Sequence, residues 1–121
     1  MKQINIVNAY SITEQLAQAN NLTIQGKWAL YKTRKDLLSH YEFYMEESKK
    51  LFNSYETTRT EDSIQFKSQK LAEEYQKKQA EIDNLDVDVK IEKQNCKLSD
   101  IPDISVPQIE MLEQFIEFTP E

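Results

Sequence analysis

LTIQGKWALYKTRKDLLSHYEFYMEESKKLFNSY, residues 22–55, is the one long and strongly periodic run in the chain. Its apolar residues fall at Leu30/Tyr31, Leu37/Leu38, Tyr41, Tyr44/Met45, Leu51/Phe52 and Tyr55. These alternating steps of three and four keep a stripe on one side of a helix. The spacing predicts one amphipathic helix about 50 Å long at ~1.5 Å per residue. That is longer than a compact domain of this size needs, so other segments must lie along it.

Downstream, the stripe stops in the polar segment ETTRTEDS, residues 56–63, which reads as the tip of a hairpin. Ile64 and Phe66 alternate with polar residues and either form a short strand or open the next helix. From Ser68, a natural amino-terminal cap, the pattern is helical again, with Leu71, Tyr75, Ile82 and Leu85 on one narrow face. A return helix of about 17 residues spans roughly 26 Å and covers only the distal half of the long stripe. Leu37, Tyr41, Tyr44, Phe52, Leu71, Tyr75 and Ile82 are therefore the expected core of the hairpin.

Residues 86–93, DVDVKIEK, alternate strictly, with Val87, Val89 and Ile91 on one side, and predict a strand. A solitary strand leaves its backbone groups unpaired; its partner must be residues 64–66, the amino-terminal residues or another molecule. Residues 98–106 read as an extended connector held by Pro102 and Pro107 and pinned by Ile101, Ile104 and Val106. Ser105, Pro107 and Gln108 then form a helix start, and Ile109, Leu112 and Ile116 predict a terminal helix to about residue 117. That helix is the expected cover for the proximal half of the long one.

Upstream, Ile6, Tyr10, Thr13 and Leu16/Ala17 predict a first helix over residues 5–20. The S-x-x-E spacing of Ser11 and Glu14 offers a later start, but Ile6, Val7 and Tyr10 continue the stripe and favour the longer helix. Asn20 and Asn21 break it, as residues that accept turn and left-handed conformations.

Composition narrows the class. A chain of 121 residues has room for one domain with a modest core. Hydrophobic residues at 39% and charged residues at 30% suit an elongated helical shape. Gly26 is the only glycine, which argues against a sandwich, a phosphate-cradling loop or a dinucleotide fold. No apolar run approaches the ~20 residues of a membrane span, and the first residues lack a signal pattern, so a cytoplasmic location is expected. A single cysteine, Cys96, excludes an internal disulfide and a cysteine-built zinc site.

Charge is uneven. Residues 22–60 hold seven Lys/Arg against five Asp/Glu, whereas residues 98–121 carry Asp100, Asp103, Glu110, Glu113, Glu117 and Glu121 with no basic residue. Such a segment repels phosphate backbones and favours a basic partner surface, which makes Asp100, Asp103, Glu110, Glu113 and Glu117 the candidate partner-binding residues. The plainer reading is a solvated tail that keeps the protein in solution. Lys27, Lys32, Arg34 and Lys35 lie close to Trp28 and Tyr31, the ingredients of a single-stranded nucleic-acid platform. Four cations on a helix are ordinary, however, and the net charge of −6 opposes that reading. Trp28 is better read as a core or interface anchor.

No constellation for catalysis emerges. His40 is the only histidine, with Asp36 four residues back as a surface ion-pair partner. The pairs Glu46–Glu47 and Glu73–Glu74 lack a histidine or a bent loop between them and read as solvated helix charge. No cofactor or metal is expected.

The order of an Asn8-Ala9-Tyr10 helix, a long basic-to-acidic helix, a charged hairpin, a Val87/Val89/Ile91 strand, the Leu98-Ser99-Asp100-Ile101 connector and a Leu112-Glu113-Gln114-Phe115-Ile116-Glu117 helix resembles small uncharacterised proteins encoded by tailed bacteriophages. The resemblance covers most of the chain and implies a phage or prophage origin and an accessory role in the host cytoplasm. It transfers no site residue.

The expected architecture is one mostly α-helical domain over residues 1–121: a long helical hairpin with flanking short helices and a minor β element. The expected function is a non-enzymatic protein-interaction module, an assembly accessory factor or an inhibitor of a host protein. The alternative is an acidic nucleic-acid mimic that blocks a host nucleic-acid-binding enzyme. A second line on the long helix, Tyr31, Leu38, Met45 and Phe52 at seven-residue spacing, needs its own cover, either the terminal helix or a second subunit in a homo-oligomer.

Overall fold

Thr23 opens the long helix. Its side chain accepts a hydrogen bond from the Gly26 N–H at 3.1 Å, the expected work of a threonine cap. In a computed structural model that describes residues 1–59 and 63–120, the helix, α2, runs over Ile24–Asn53, 30 residues or about 45 Å.

Helix α1 spans Gln3–Leu16 and buries Gln3, Ile6, Val7, Ala9, Tyr10, Thr13 and Leu16. The longer start is the observed one, and the helix begins even before residue 5. Lys2 at the cap contributes no side-chain bond; the Gln3 N–H instead donates to the Leu85 carbonyl at 2.9 Å, so an otherwise orphaned donor is satisfied from a distant segment. The helix stops at Leu16, short of the expected residue 20, and the turn into α2 uses no positive φ. Tyr10 stacks on Tyr41, ring centroids 4.1 Å apart.

The far end of α2 continues into β1, Thr57–Arg59, which pairs antiparallel with β2, Ile64–Phe66. Residues 64–66 thus form the strand of the two alternatives; the centre of the expected tip, residues 60–62, lies outside the described residues. Helix α3, Gln69–Asp83, is capped by Ser68 as expected and packs against α2. At the tip the two are joined by the rings of Phe52, Tyr55, Phe66 and Tyr75. Nearer the base, Tyr44 donates to Asp83 Oδ1 at 2.7 Å, and Gln79 Nε2 reaches Ser48 Oγ at 3.1 Å and Asp83 Oδ1 at 3.0 Å.

The core is not in this hairpin. Helix α3 has no buried residue, and of the seven positions expected inside only Leu37 is fully buried; Tyr41, Tyr44, Phe52, Leu71, Tyr75 and Ile82 are half-buried. The buried cluster is Ile6, Ala9, Tyr10, Leu16, Ala29, Leu30, Leu37, Cys96, Ile101, Leu112, Phe115 and Ile116. It lies where α1 meets the proximal half of α2. Two helices in contact bury only a strip along their line of contact, whereas this end has a third layer to close it.

That layer comes from the last third of the chain and differs from expectation. Residues 86–93 do not form a ladder. The chain pairs with the amino-terminal residues through one antiparallel bridge, Lys2 with Asp86, and the Val87 N–H donates to the Met1 carbonyl at 2.9 Å. The alternation still sets facing, since Val87, Val89 and Ile91 pack partly buried against the core. Ladder pairing begins later, at β3, Gln94–Lys97, which is parallel to β4, Ile116–Thr119. Between them, a 3-10 turn, η1 (Leu98–Asp100), and helix α4, Val106–Leu112, form the crossover that parallel strands require.

Helix α4 has the expected start, with Ser105 and Gln108 capping reciprocally, but it ends at Leu112. Phe115 and Ile116 are both buried, and the backbone turns extended so that these adjacent residues are used at once, one closing the turn and one entering the strand. Ile101 is buried and Ile104 packs partly buried. Val106, expected to pin the connector, is exposed at the helix start. Helix α4 lies on α1, and the proximal stretch of α2 is covered by α1, β3 and η1.

Candidate functional site

The residues that α2 buries, Gly26, Ala29, Leu30, Thr33 and Leu37, share one face. With 3.6 residues per turn, the line through positions 24, 28, 31, 35, 38, 42 and 45 lies on another side of the cylinder. Along it Ile24 is 78% exposed, Trp28 49%, Tyr31 45%, Leu38 38% and Met45 48%. Five large apolar side chains on one line over about 32 Å of helix are unlike singly scattered surface residues, and aligned apolar groups of this kind mark interaction sites. The second line anticipated from seven-residue spacing is therefore open at Tyr31, Leu38 and Met45, and only Phe52, at the aromatic tip, has company. Trp28 stands at the edge of this face, its ring 5.8 Å from that of Tyr31, and is an exposed anchor instead of a core residue.

The charges on the line are ordered. Lys35 and Glu42 interrupt the apolar residues, both exposed. Lys27, Arg34 and Lys35 flank its first half; Glu42 and Glu46 flank the second, with Lys49 beyond them. Tyr10, Tyr31, Arg34, Lys35 and Leu38 line a shallow cleft beside the face.

The helix is held rigidly at its start. Asp100 accepts from Thr23 Oγ1 at 2.7 Å and from the Lys97 N–H at 2.9 Å, and its carbonyl accepts from the Thr23 N–H at 3.2 Å. The hydrogen bond from Thr23, followed by that from Lys97, holds the Asp100 carboxyl below the usual carboxylate range. Gly26 permits this contact: a Cβ there would lie 2.3 Å from the Asp100 carbonyl oxygen. The only glycine in the chain serves a close approach of backbones, not a turn. Beside it, Cys96 is buried. Burial, with the charge and hydrogen bond of Asp100 adding, pushes its thiol up to about 11, so it is held as an inert thiol.

The acidic candidates from the sequence are not gathered into one surface. Asp100 spends both carboxylate oxygens on internal contacts. Asp103 is exposed in the turn after η1. Glu110 and Glu113 are one helical turn apart at the end of α4; Glu110 borders a recess with Asn5, Asn8 and Met111, and Glu113 and Glu117 border the adjoining one with Lys93 and Phe118. The paired glutamates are solvated helix charge: Lys50 meets Glu46 at 3.1 Å, and Lys78 meets Glu74 at 3.1 Å. The Asp36–His40 ion pair is not formed; Asp36 Oδ2 is buried without a hydrogen-bond partner, and the His40 carbonyl accepts from Gln3 Nε2 at 2.7 Å. Among the described residues no three His, Cys, Asp or Glu side chains are grouped to hold a metal ion, and no helix is long and apolar enough to cross a membrane.

Sequence spacing alone pointed to the open line on α2. It missed which of two apolar lines would stay uncovered, because that depended on where α1, β3 and α4 pack. Compared with known proteins, the chain matches no family model, no curated protein and no solved structure.

Proposed function

We propose that this protein acts by binding protein, as a helical interaction module whose recognition surface is the open face of α2. The observation that carries the proposal is the line Ile24, Trp28, Tyr31, Leu38 and Met45, exposed on a helix fixed at its start by Thr23, Gly26 and Asp100. Helix-in-groove and helix-on-helix recognition use residues at this spacing as anchors, and aromatic residues dominate such surfaces energetically. An accessory role in phage assembly or host inhibition is consistent with such a module. The acidic-mimic alternative draws less support, since a mimic needs its carboxylates displayed in one ordered array and Asp100 is committed to contacts within the chain.

The test compares the wild-type chain with Tyr31→Ser/Met45→Ser and with Glu110→Gln/Glu113→Gln/Glu117→Gln in quantitative co-purification and in solution self-association. Loss of association in the first variant, with retained helical circular dichroism and an unaffected second variant, is the expected result. Association that survives the first and disappears in the second would move recognition to the acidic segment.

A further inference from the structure

Resting on that reading, we infer that the occupant of the open face is a second copy of this chain, with the two α2 helices antiparallel about Leu38. The order of charge along the helix selects this arrangement. A parallel pair would set Lys35 beside Lys35 and Glu42 beside Glu42, basic half on basic half. Turning one helix around brings Arg34 level with the partner's Glu42 and Lys35 one residue from it, and does so twice by symmetry, while Lys27 comes level with the partner's Lys49 at the ends of the contact.

The apolar residues obey the same centre. About a two-fold axis at Leu38, Tyr31 comes to the partner's Met45, seven positions on either side, Leu38 meets Leu38, and Ile24 comes to the level of the partner's Phe52. Trp28 falls near the partner's Lys49, an arrangement that a cation over an indole face favours. Lys35 and the partner's Glu42, also seven apart, come within a turn of each other. A binding surface for an unrelated partner has no reason to be complementary to itself reversed, whereas a two-fold contact must be.

Helix α1 borders this face through Tyr10, in the shallow cleft with Tyr31, Arg34, Lys35 and Leu38, and leaves Ile24, Trp28, Tyr31, Leu38 and Met45 exposed. Of the charged groups facing the line, Lys35, Glu42 and Lys49 have no ion pair within the chain among the described residues; the recorded partners of α2 charges are Lys32 with Glu92 and Lys50 with Glu46 and Glu47.

Two experiments on the full chain decide the matter. Sedimentation across a hundredfold dilution range at micromolar concentration is expected to show a dimer. Lys35→Glu should weaken it by about tenfold or more, since two attractive pairs become repulsive, and Lys35→Glu/Glu42→Lys should restore it. A parallel dimer predicts no such rescue. Mixing the Tyr31→Cys chain with the Met45→Cys chain under mild oxidation should give the mixed disulfide in preference to either homodisulfide. A monomer at every concentration, or crosslinks of Tyr31→Cys only to itself, overturns the inference. A monomer that still loses co-purifying protein on Tyr31→Ser/Met45→Ser would leave the open face as a binding surface with a different occupant, whereas indifference to that variant removes both.

Discussion

Gly26 lies directly against the backbone of Asp100, so close that a methyl group on its α-carbon would sit 2.3 Å from the Asp100 carbonyl oxygen. Alanine favours an ordinary helix interior by about 1 kcal/mol over glycine. Here the sign reverses. Gly26→Ala must push η1 away from the start of α2, and overpacking of this kind costs about 1–3 kcal/mol. Urea unfolding should show a lower midpoint at unchanged slope; a gain in stability would show that η1 yields freely.

Adjacent leucines on α2 should behave oppositely. Leu37 is fully buried and Leu38 is 38% exposed. Leu37→Ala should cost about 2–5 kcal/mol, whereas Leu38→Ala should change the monomer's stability by no more than about 0.5 kcal/mol. Leu38→Glu should therefore leave the chain folded, as judged by circular dichroism and by the thermal transition of a dilute sample. An unfolded Leu38→Glu chain would mean that the face is covered within one molecule.

Acid should unlock the clamp at the start of α2. The Asp100 carboxyl is depressed by its bonds from Thr23 and Lys97. A depressed carboxyl contributes stability that is fully present above its unfolded value, about 3.9, and is lost as pH falls through the lower folded value. Wild type should exceed Asp100→Ala in urea midpoint at neutral pH, and the two should converge in strong acid. A difference that stays constant over the acid range would assign the loss to packing alone.

At the other end of the pH scale, Tyr44 carries the signal. Burial, then the hydrogen bond to Asp83, raises its hydroxyl to about 12. A raised group stabilises below its unfolded value, about 10, and that contribution disappears as pH climbs through the folded value. Between those values the wild-type chain should lose stability faster than Tyr44→Phe. Parallel curves for the two chains would contradict the Tyr44–Asp83 bond.

Cys96 should react slowly. With its thiol at about 11 and its side chain buried, a disulfide reagent at pH 8 meets almost no accessible thiolate. Labelling should proceed only through opening of the core and accelerate in urea. Burst labelling of the native chain would show that the contact of β3 with α2 is loose.

Local chemistry was legible in the sequence, and the choice among long-range neighbours was not. Ser68 and Ser105 cap helices as expected, because a short oxygen-bearing side chain suits that place in almost any fold; Thr23 does the same for α2, at a start that the periodicity of the apolar residues did not mark. The alternation of Val87, Val89 and Ile91 correctly gives the inward side, but alternation says which way residues point and not what the backbone pairs with. Phe115 and Ile116 fit the stripe of a helix as well as they fit a turn followed by a strand. The parallel partner that settles it, Gln94–Lys97, is polar in three of its four residues and carries little strand signal of its own. The acidic candidates were legible as charges, but their scatter over η1, α4 and β4 depended on that same strand.

The parallel pairing of β3 with β4 has a consequence for biosynthesis. The cluster around Ile6 and Leu30 is completed by Leu112, Phe115 and Ile116, so on a ribosome α1 and α2 must wait, with apolar faces bare, until residue 116 has been made. The α2–α3 arm needs only its immediate neighbours in sequence and is free to form earlier. The interval between those two events is when this protein is most exposed to aggregation, and a chaperone that holds the amphipathic first helix would protect it then.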